Sequence, residues 1–73
     1  MVNEITITRL YRQTDDGDIL ATIVDIYDSS TGDKVGEVTG KTTSPYIYKL
    51  DKPSTGVNIV PREANTIIET GEQ

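Results

Sequence analysis

This chain of 73 residues contains no cysteine, histidine, tryptophan or phenylalanine. Without cysteine it has no disulfide to stabilise a small core and no thiolate nucleophile. Without histidine it lacks the commonest general base and zinc ligand. We therefore predict that the protein is not an enzyme and that it has no catalytic residues, no cofactor and no metal site.

Long apolar runs are missing as well. No segment approaches the roughly 18 apolar residues of a membrane span, and the first residues lack the basic and apolar regions of a signal peptide. The net charge of −5 disfavours nucleic acid and anionic membranes as partners. These features predict a soluble protein, located in the cytoplasm of its producing or host cell. A viral (phage) accessory protein or a virion-associated protein fits this size and composition.

What the chain does contain is a strand-forming composition. Isoleucine and valine make up most of its apolar residues, and eleven threonines accompany them. Such β-branched side chains suit a pleated sheet and lose rotamer freedom in a helix. A chain of this length buries only a thin core. We predict a single small β domain over residues 1–73, with residues 70–73 as a polar tail.

The first hairpin is predicted from alternation and from a turn signal. Residues 2–13 alternate as a half-buried strand does, and Asp16-Gly17 suits a two-residue turn that leads into a strand over residues 19–28. This register sets Arg9 opposite Val24, and a slip of one residue sets Arg9 opposite Asp25, which is chemically tolerable. The first register collects one apolar face: Ile5, Ile7, Tyr11, Leu20, Val24 and Ile26.

A second hairpin follows at residues 28–35. The Asp28 carboxylate can accept backbone N–H bonds at the first position of a type I turn, and Gly32 suits the left-handed residue after it. We expect Ile26 to pair with Val35. Gly36 and Gly40 then interrupt the third strand, which indicates a bulge, a bend or a close backbone approach.

The remaining segments complete an all-β fold. Short strands are predicted at residues 46–50, 57–60 and 66–70, with a turn at 51–56 and one helical turn near 61–65. The result is a small antiparallel barrel or rolled sheet of five to six short strands, of SH3-like or OB-like size.

The tripeptide Gly40-Lys41-Thr42 matches the end of a nucleotide-binding P-loop. That motif needs two glycines separated by four residues and a following helix. Here Gly36 and Gly40 are separated by three residues, and Pro45 soon follows. We predict a bent strand whose amides pair with other strands and bind no phosphate.

Acidic residues dominate residues 15–40. The "DDGD" of residues 15–18 could suggest calcium, but it lacks the ligand spacing of an EF-hand loop, so solvated carboxylates are expected. The acidic region could instead imitate a phosphate backbone and inhibit a nucleic-acid-binding enzyme. That alternative would use Asp15, Asp16, Asp18, Asp28 and Asp33. Charges that merely protect exposed strands are the simpler interpretation.

Asp25 and Glu37 are the acids predicted to lie in mid-strand. Two carboxylates can perform acid and base catalysis only across a substrate cleft, which nothing here predicts. We expect Asp25 to pair with Arg9 or Lys34.

Tyr46 and Tyr48 share one face of a predicted strand that has lysines nearby. Aromatic side chains beside cations can stack single-stranded nucleic acid on a barrel. In a chain without Phe or Trp, the same tyrosines are needed to fill the core, with their hydroxyls at its rim. A nucleic-acid binder is therefore the least favoured hypothesis.

The favoured hypothesis is a non-enzymatic structural, assembly or protein-binding module. Exposed strand edges and apolar outer-face positions such as Leu10, Ile19 and Ile23 would support self-association, as a homo-oligomer, or docking on a larger partner. The candidate partner-binding residues are Asp15, Asp16, Asp18, Asp28, Asp33, Tyr46 and Tyr48.

Overall fold

The computed structural model describes residues 1–72 and folds them into two antiparallel sheets, which confirms the all-β prediction. The first sheet is built around β1, whose residues 5–7 pair with both β5 and β7, so these two strands lie on opposite edges of β1. The second sheet has the order β4-β3-β6. The strands are β1 (Val2–Gln13), β2 (Ile19–Leu20), β3 (Thr22–Asp28), β4 (Lys34–Gly40), β5 (Tyr46–Ser54), β6 (Val57–Pro61) and β7 (Thr66–Glu72).

Residues 19–28 do not form one strand, so both predicted registers of the first hairpin are wrong. The segment breaks at Ala21: β2 stays beside the end of β1, and β3 enters the second sheet. Arg9 lies opposite Glu69, and Val24 lies opposite Val38. The split has a physical reason, since the apolar face of one sheet needs a second layer against which to be buried.

The first turn is longer than predicted. Thr14 donates its N–H to the Asp18 carbonyl (2.9 Å) and accepts from the Gly17 N–H (2.9 Å). Residues 14–18 therefore form a five-residue loop, whereas the Asp16-Gly17 signal predicted a two-residue turn.

The core lies between the two sheets, and a bulge decides which residues reach it. The β1–β7 register shifts between Ile7 and Arg9, which moves the buried parity of β1 to even positions. Leu10 is consequently fully buried and Tyr11 only half-buried, while Leu20 is 38% exposed. Placing Tyr11 in the core and Leu10 outside was wrong for this reason. Placing Leu20 in the core was wrong as well, since it lies in the two-residue β2 beside the end of β1. The buried apolar residues are Ile5, Ile7, Leu10, Val24, Ile26, Val35, Val38 and Leu50.

The second turn forms as predicted. The Asp28 Oδ1 accepts the N–H groups of Ser30 (2.8 Å) and Thr31 (3.3 Å), and Gly32 has a φ of 79°. The register beyond it is shifted by one residue, because a bulge at Val35 sets Gly36 opposite Ile26.

Three expectations for the second half are corrected. Residues 62–65 form bends and a turn that ends at Asn65 (φ 61°), and no helix occurs within residues 1–72. The 51–56 turn is shorter than expected, since β5 extends to Ser54. Residues 70–72, assigned to a tail, belong to β7, and Gln73 lies outside the described residues.

Candidate functional site

The segment that resembles a P-loop is used for strand pairing, as predicted. Gly36 and Gly40 lie in β4, which pairs with β3. Thr42 donates its N–H to the Leu10 carbonyl (2.7 Å) and accepts the Leu10 N–H (3.0 Å). Because these amides face other strands, they do not form a phosphate cradle.

Tyr48 joins the two sheets at the outer edge of β4. Its hydroxyl accepts the Glu37 N–H (3.1 Å) and donates to the Glu37 carbonyl (3.3 Å). Its ring passes so close to Gly36 that a β-carbon there would lie 2.8 Å from Cε2. Gly36 thus permits a close approach, one of the three roles predicted for it, and Tyr48 covers an edge that would otherwise be open.

Tyr46 and Tyr48 do share a face of β5, as predicted. They lie opposite Ile7 and Ile5, so this is the face that points to the core. Tyr48 is half-buried and packs against the core, whereas Tyr46 is 38% exposed. The hydroxyl of Tyr48 is hydrogen-bonded to the Glu37 backbone, within the chain.

Asp25, Lys34, Glu37 and Arg62 form an ion-pair cluster on the outer face of the second sheet. Asp25 lies directly opposite Glu37. The Glu37 backbone groups face Tyr48, which makes this a pair without mutual hydrogen bonds, the kind whose side chains lie closest. Two carboxylates so placed would repel each other unless cations joined them.

Arg62 and Lys34 supply those cations. The guanidinium donates to both Asp25 carboxylate oxygens (2.8 and 2.7 Å) and to the Glu37 Oε1 (2.7 Å). The Lys34 ammonium lies 3.0 Å from Asp25 and 2.8 Å from Glu37. The predicted Lys34 partner of Asp25 is confirmed. The predicted Arg9 partner is wrong, since Arg9 pairs with Glu69 (3.3 Å).

The two carboxylates of the cluster are balanced by its two cations. Hydrogen bonds from Arg62 and then Lys34 hold the pKa of Asp25 well below its ordinary value, and Lys34 does most to lower the pKa of Glu37. Neither carboxyl can therefore donate a proton near neutral pH. No local pattern indicates Arg62, because its approach to Asp25 depends on β6 lying beside β3.

The five aspartates proposed for partner binding lie in three different settings. Asp28 is buried, and its carboxylate is bound by Ser30 and Thr31 within the turn and by the Thr55 hydroxyl from the connection between β5 and β6. Hydrogen bonds from Ser30 hold its pKa well below the ordinary value. Asp33 is exposed and pairs with Lys52 (3.0 Å).

The remaining three aspartates define what we call the acidic loop: Asp15, Asp16 and Asp18. All three are exposed, and none forms an ion pair within residues 1–72. The β3 strand, roughly 23 Å long at about 3.3 Å per residue, separates this loop from the Asp28 turn. The five carboxylates therefore do not form one continuous acidic surface.

A shallow, open depression of about 540 Å³ lies beside the acidic loop. It lies at the end of β1 and the start of β7. The lining residues are Gln13, Thr14, Asp15, Gly17, Asn65, Thr66 and Ile67.

Residues 1–72 contain no cluster of acidic side chains that could hold a metal ion. They also form no helix long and apolar enough to cross a membrane. Comparison with protein-family models, with curated proteins and with solved structures finds no match for this chain.

Proposed function

We propose that this protein is a non-enzymatic protein-binding module that docks on a larger partner, or on a second copy, by accepting a strand at the free edge of β7. The observation that carries the proposal is the pairing of β7. This seven-residue strand pairs with β1 along one side, and within residues 1–72 no strand pairs with its other side. An exposed edge of this kind is a template for an added strand.

The outward-facing groups of this edge follow from two hydrogen bonds. Gln13 donates its N–H to the Asn65 carbonyl (3.1 Å), and the Thr8 hydroxyl donates to the Glu69 carbonyl (3.0 Å). Since backbone groups alternate in direction along a strand, odd-numbered residues of β7 face β1. Ile68 and Thr70 therefore present their N–H and C=O groups outward.

The two outer strands of the second sheet are less suited to accept a strand. The Tyr48 hydroxyl occupies the β4 edge at Glu37. The β6 strand is five residues long and ends in Pro61, which has no N–H. In β7, "TIIETGE", there is neither proline nor lysine, the residues that commonly block an edge.

The proposal is tested by blocking the β7 edge at Thr70. Thr70→Pro removes an outward N–H and leaves the ladder to β1 intact, whereas Thr70→Ala keeps that N–H and serves as the control. Light scattering over a dilution series and capture of partners from lysate are compared for the three proteins, after circular dichroism has shown that each is folded.

We expect association, with itself or with a captured partner, to be retained by Thr70→Ala and lost in Thr70→Pro. Equal association by both variants would overturn the proposal. So would a wild-type protein that stays monomeric and captures nothing.

A further inference from the structure

We infer that the segment accepted by β7 is an extended stretch of another protein that carries lysine or arginine beside apolar residues. This inference rests on the proposed function and specifies its partner. It follows from three features that meet at one place: the free edge, the depression and the acidic loop.

The depression and the free edge are continuous. Thr66 and Ile67 belong to β7 and also line the depression, whose opposite wall includes Thr14 and Asp15. A strand added outside β7 would lie beside Thr66, about 4.8 Å farther from β1. A long side chain at that level could extend over Thr66 and Ile67 towards an open space of about 540 Å³ with a carboxylate at its wall.

The charges around this edge do not balance. Arg9 and Arg12, the two cations that β1 contributes to this side, are each matched by a glutamate at 3.3 Å, Glu69 and Glu63. The acidic loop adds three carboxylates that have no partner within residues 1–72. These two arginines, two glutamates and three aspartates together carry a net charge of −3, which favours a basic occupant.

The same excess argues against a second copy as the occupant. Each chain has a net charge of −5, and an antiparallel β7–β7 pair would place each acidic loop near the end of the other copy's β7 that contains Glu69 and Glu72. Like charges placed across an interface reduce affinity. A basic segment of a different protein instead gains from the field that repels a copy.

The outer face of β7 adds an apolar contact. Ile67 lies opposite Tyr11 on the face turned away from the core, and both are half-buried. Because side chains alternate along a strand, an added segment would place every second side chain on this face, one of them beside Ile67. An added segment with an apolar side chain beside Ile67 and a basic side chain at its end nearer the acidic loop therefore matches the surface.

The test uses a capped peptide of the same length as β7, in which valine and threonine alternate and both end residues are lysine. A control peptide replaces the lysines with glutamate, and a second control carries N-methyl groups on alternate amides. Each is titrated into the isotope-labelled full chain, and amide shifts report the site. The protein variants are Asp15→Asn/Asp16→Asn/Asp18→Asn and, as a control that removes the same kind of charge elsewhere, Asp33→Asn/Asp51→Asn.

We expect the lysine peptide to shift the amides of Ile68 and Thr70 and those of residues 14–18. Binding should weaken roughly tenfold in the acidic-loop variant and hardly change in the control variant, since the first loses three exposed carboxylates that attract the lysine at one end of the peptide. High salt should weaken binding in the same direction.

The outcomes separate this inference from the proposed function. If the glutamate peptide binds β7 as well as the lysine peptide does, the basic partner is refuted and strand docking stands. Shifts at β7 that grow with protein concentration alone would identify a second copy as the occupant and would also refute the inference. If no peptide shifts β7, or if the N-methylated peptide binds equally well, strand addition itself is refuted.

Discussion

Replacing Gly36 by alanine should destabilise the fold through Tyr48. A β-carbon at position 36 would lie 2.8 Å from Cε2, 2.9 Å from the hydroxyl oxygen and 3.2 Å from Cζ of Tyr48. The shortest of these is about 0.6 Å inside the 3.4 Å at which ordinary contacts begin. Alanine therefore fits only if the tyrosine moves.

That movement is costly because the ring is held at its far end. The hydroxyl makes two hydrogen bonds to Glu37, each with a net contribution of about 0.5–1.5 kcal/mol. Alanine in a strand recovers about 0.5–1 kcal/mol relative to glycine. Overpacking typically costs about 1–3 kcal/mol, so we expect Gly36→Ala to reduce the free energy of unfolding by about 1–2 kcal/mol. For a domain of this size, each kcal/mol lowers Tm by roughly 4–8 °C.

A double-mutant cycle tests this explanation by urea unfolding, followed by circular dichroism. Tyr48→Leu removes the ring atoms that alanine would meet, so Gly36→Ala should be neutral or stabilising in that background. Tyr48→Phe removes the hydrogen bonds and keeps the ring, so part of the clash should remain. If Gly36→Ala costs the same with Tyr48 and with leucine at that position, the reasoning is refuted.

Three further predictions concern the ion-pair cluster, the second turn and the core. In the cluster, the pKa values of Asp25 and Glu37 are lowered, so their contribution to stability is present above the ordinary values of 3.8 and 4.5 and is lost as the pH falls below them towards the folded-state values. Asp25→Asn should therefore lower stability at pH 7 and flatten the acid limb of a pH titration of Tm. An unchanged acid limb would contradict this. Asp28→Ala should destabilise clearly more than Asp33→Ala, whose exposed ion pair contributes less than about 1 kcal/mol, and equal urea midpoints would contradict the assigned turn. Leu10→Ala should cost about 2–5 kcal/mol and Leu20→Ala much less, and the reverse order would contradict the burial of Leu10 and the exposure of Leu20.

What the sequence predicted well was local. The Asp28 turn forms as expected, because its side-chain acceptor and its glycine lie within five residues of each other and determine the turn together. The all-β class likewise follows from the β-branched composition, and the glycine at position 36 permits the close approach of Tyr48.

What the sequence did not predict depends on contacts between distant segments. The bulge beside Arg9 changes the parity of β1 and buries Leu10, and no residue type marks it. The transfer of β3 to the second sheet follows from the need for a second layer. Arg62 reaches Asp25 across 37 positions of sequence, a contact that local patterns do not contain.

The central claim, that the outer edge of β7 is free to accept a strand, is tested most directly by amide hydrogen exchange in dilute solution. We expect the N–H groups of Ile68 and Thr70 to exchange rapidly, while those of Ile67 and Glu69, which face β1, are protected. Addition of the lysine peptide should then protect Ile68 and Thr70. Slow exchange of these two amides in the dilute, peptide-free protein would show that the edge is already covered and would contradict the account.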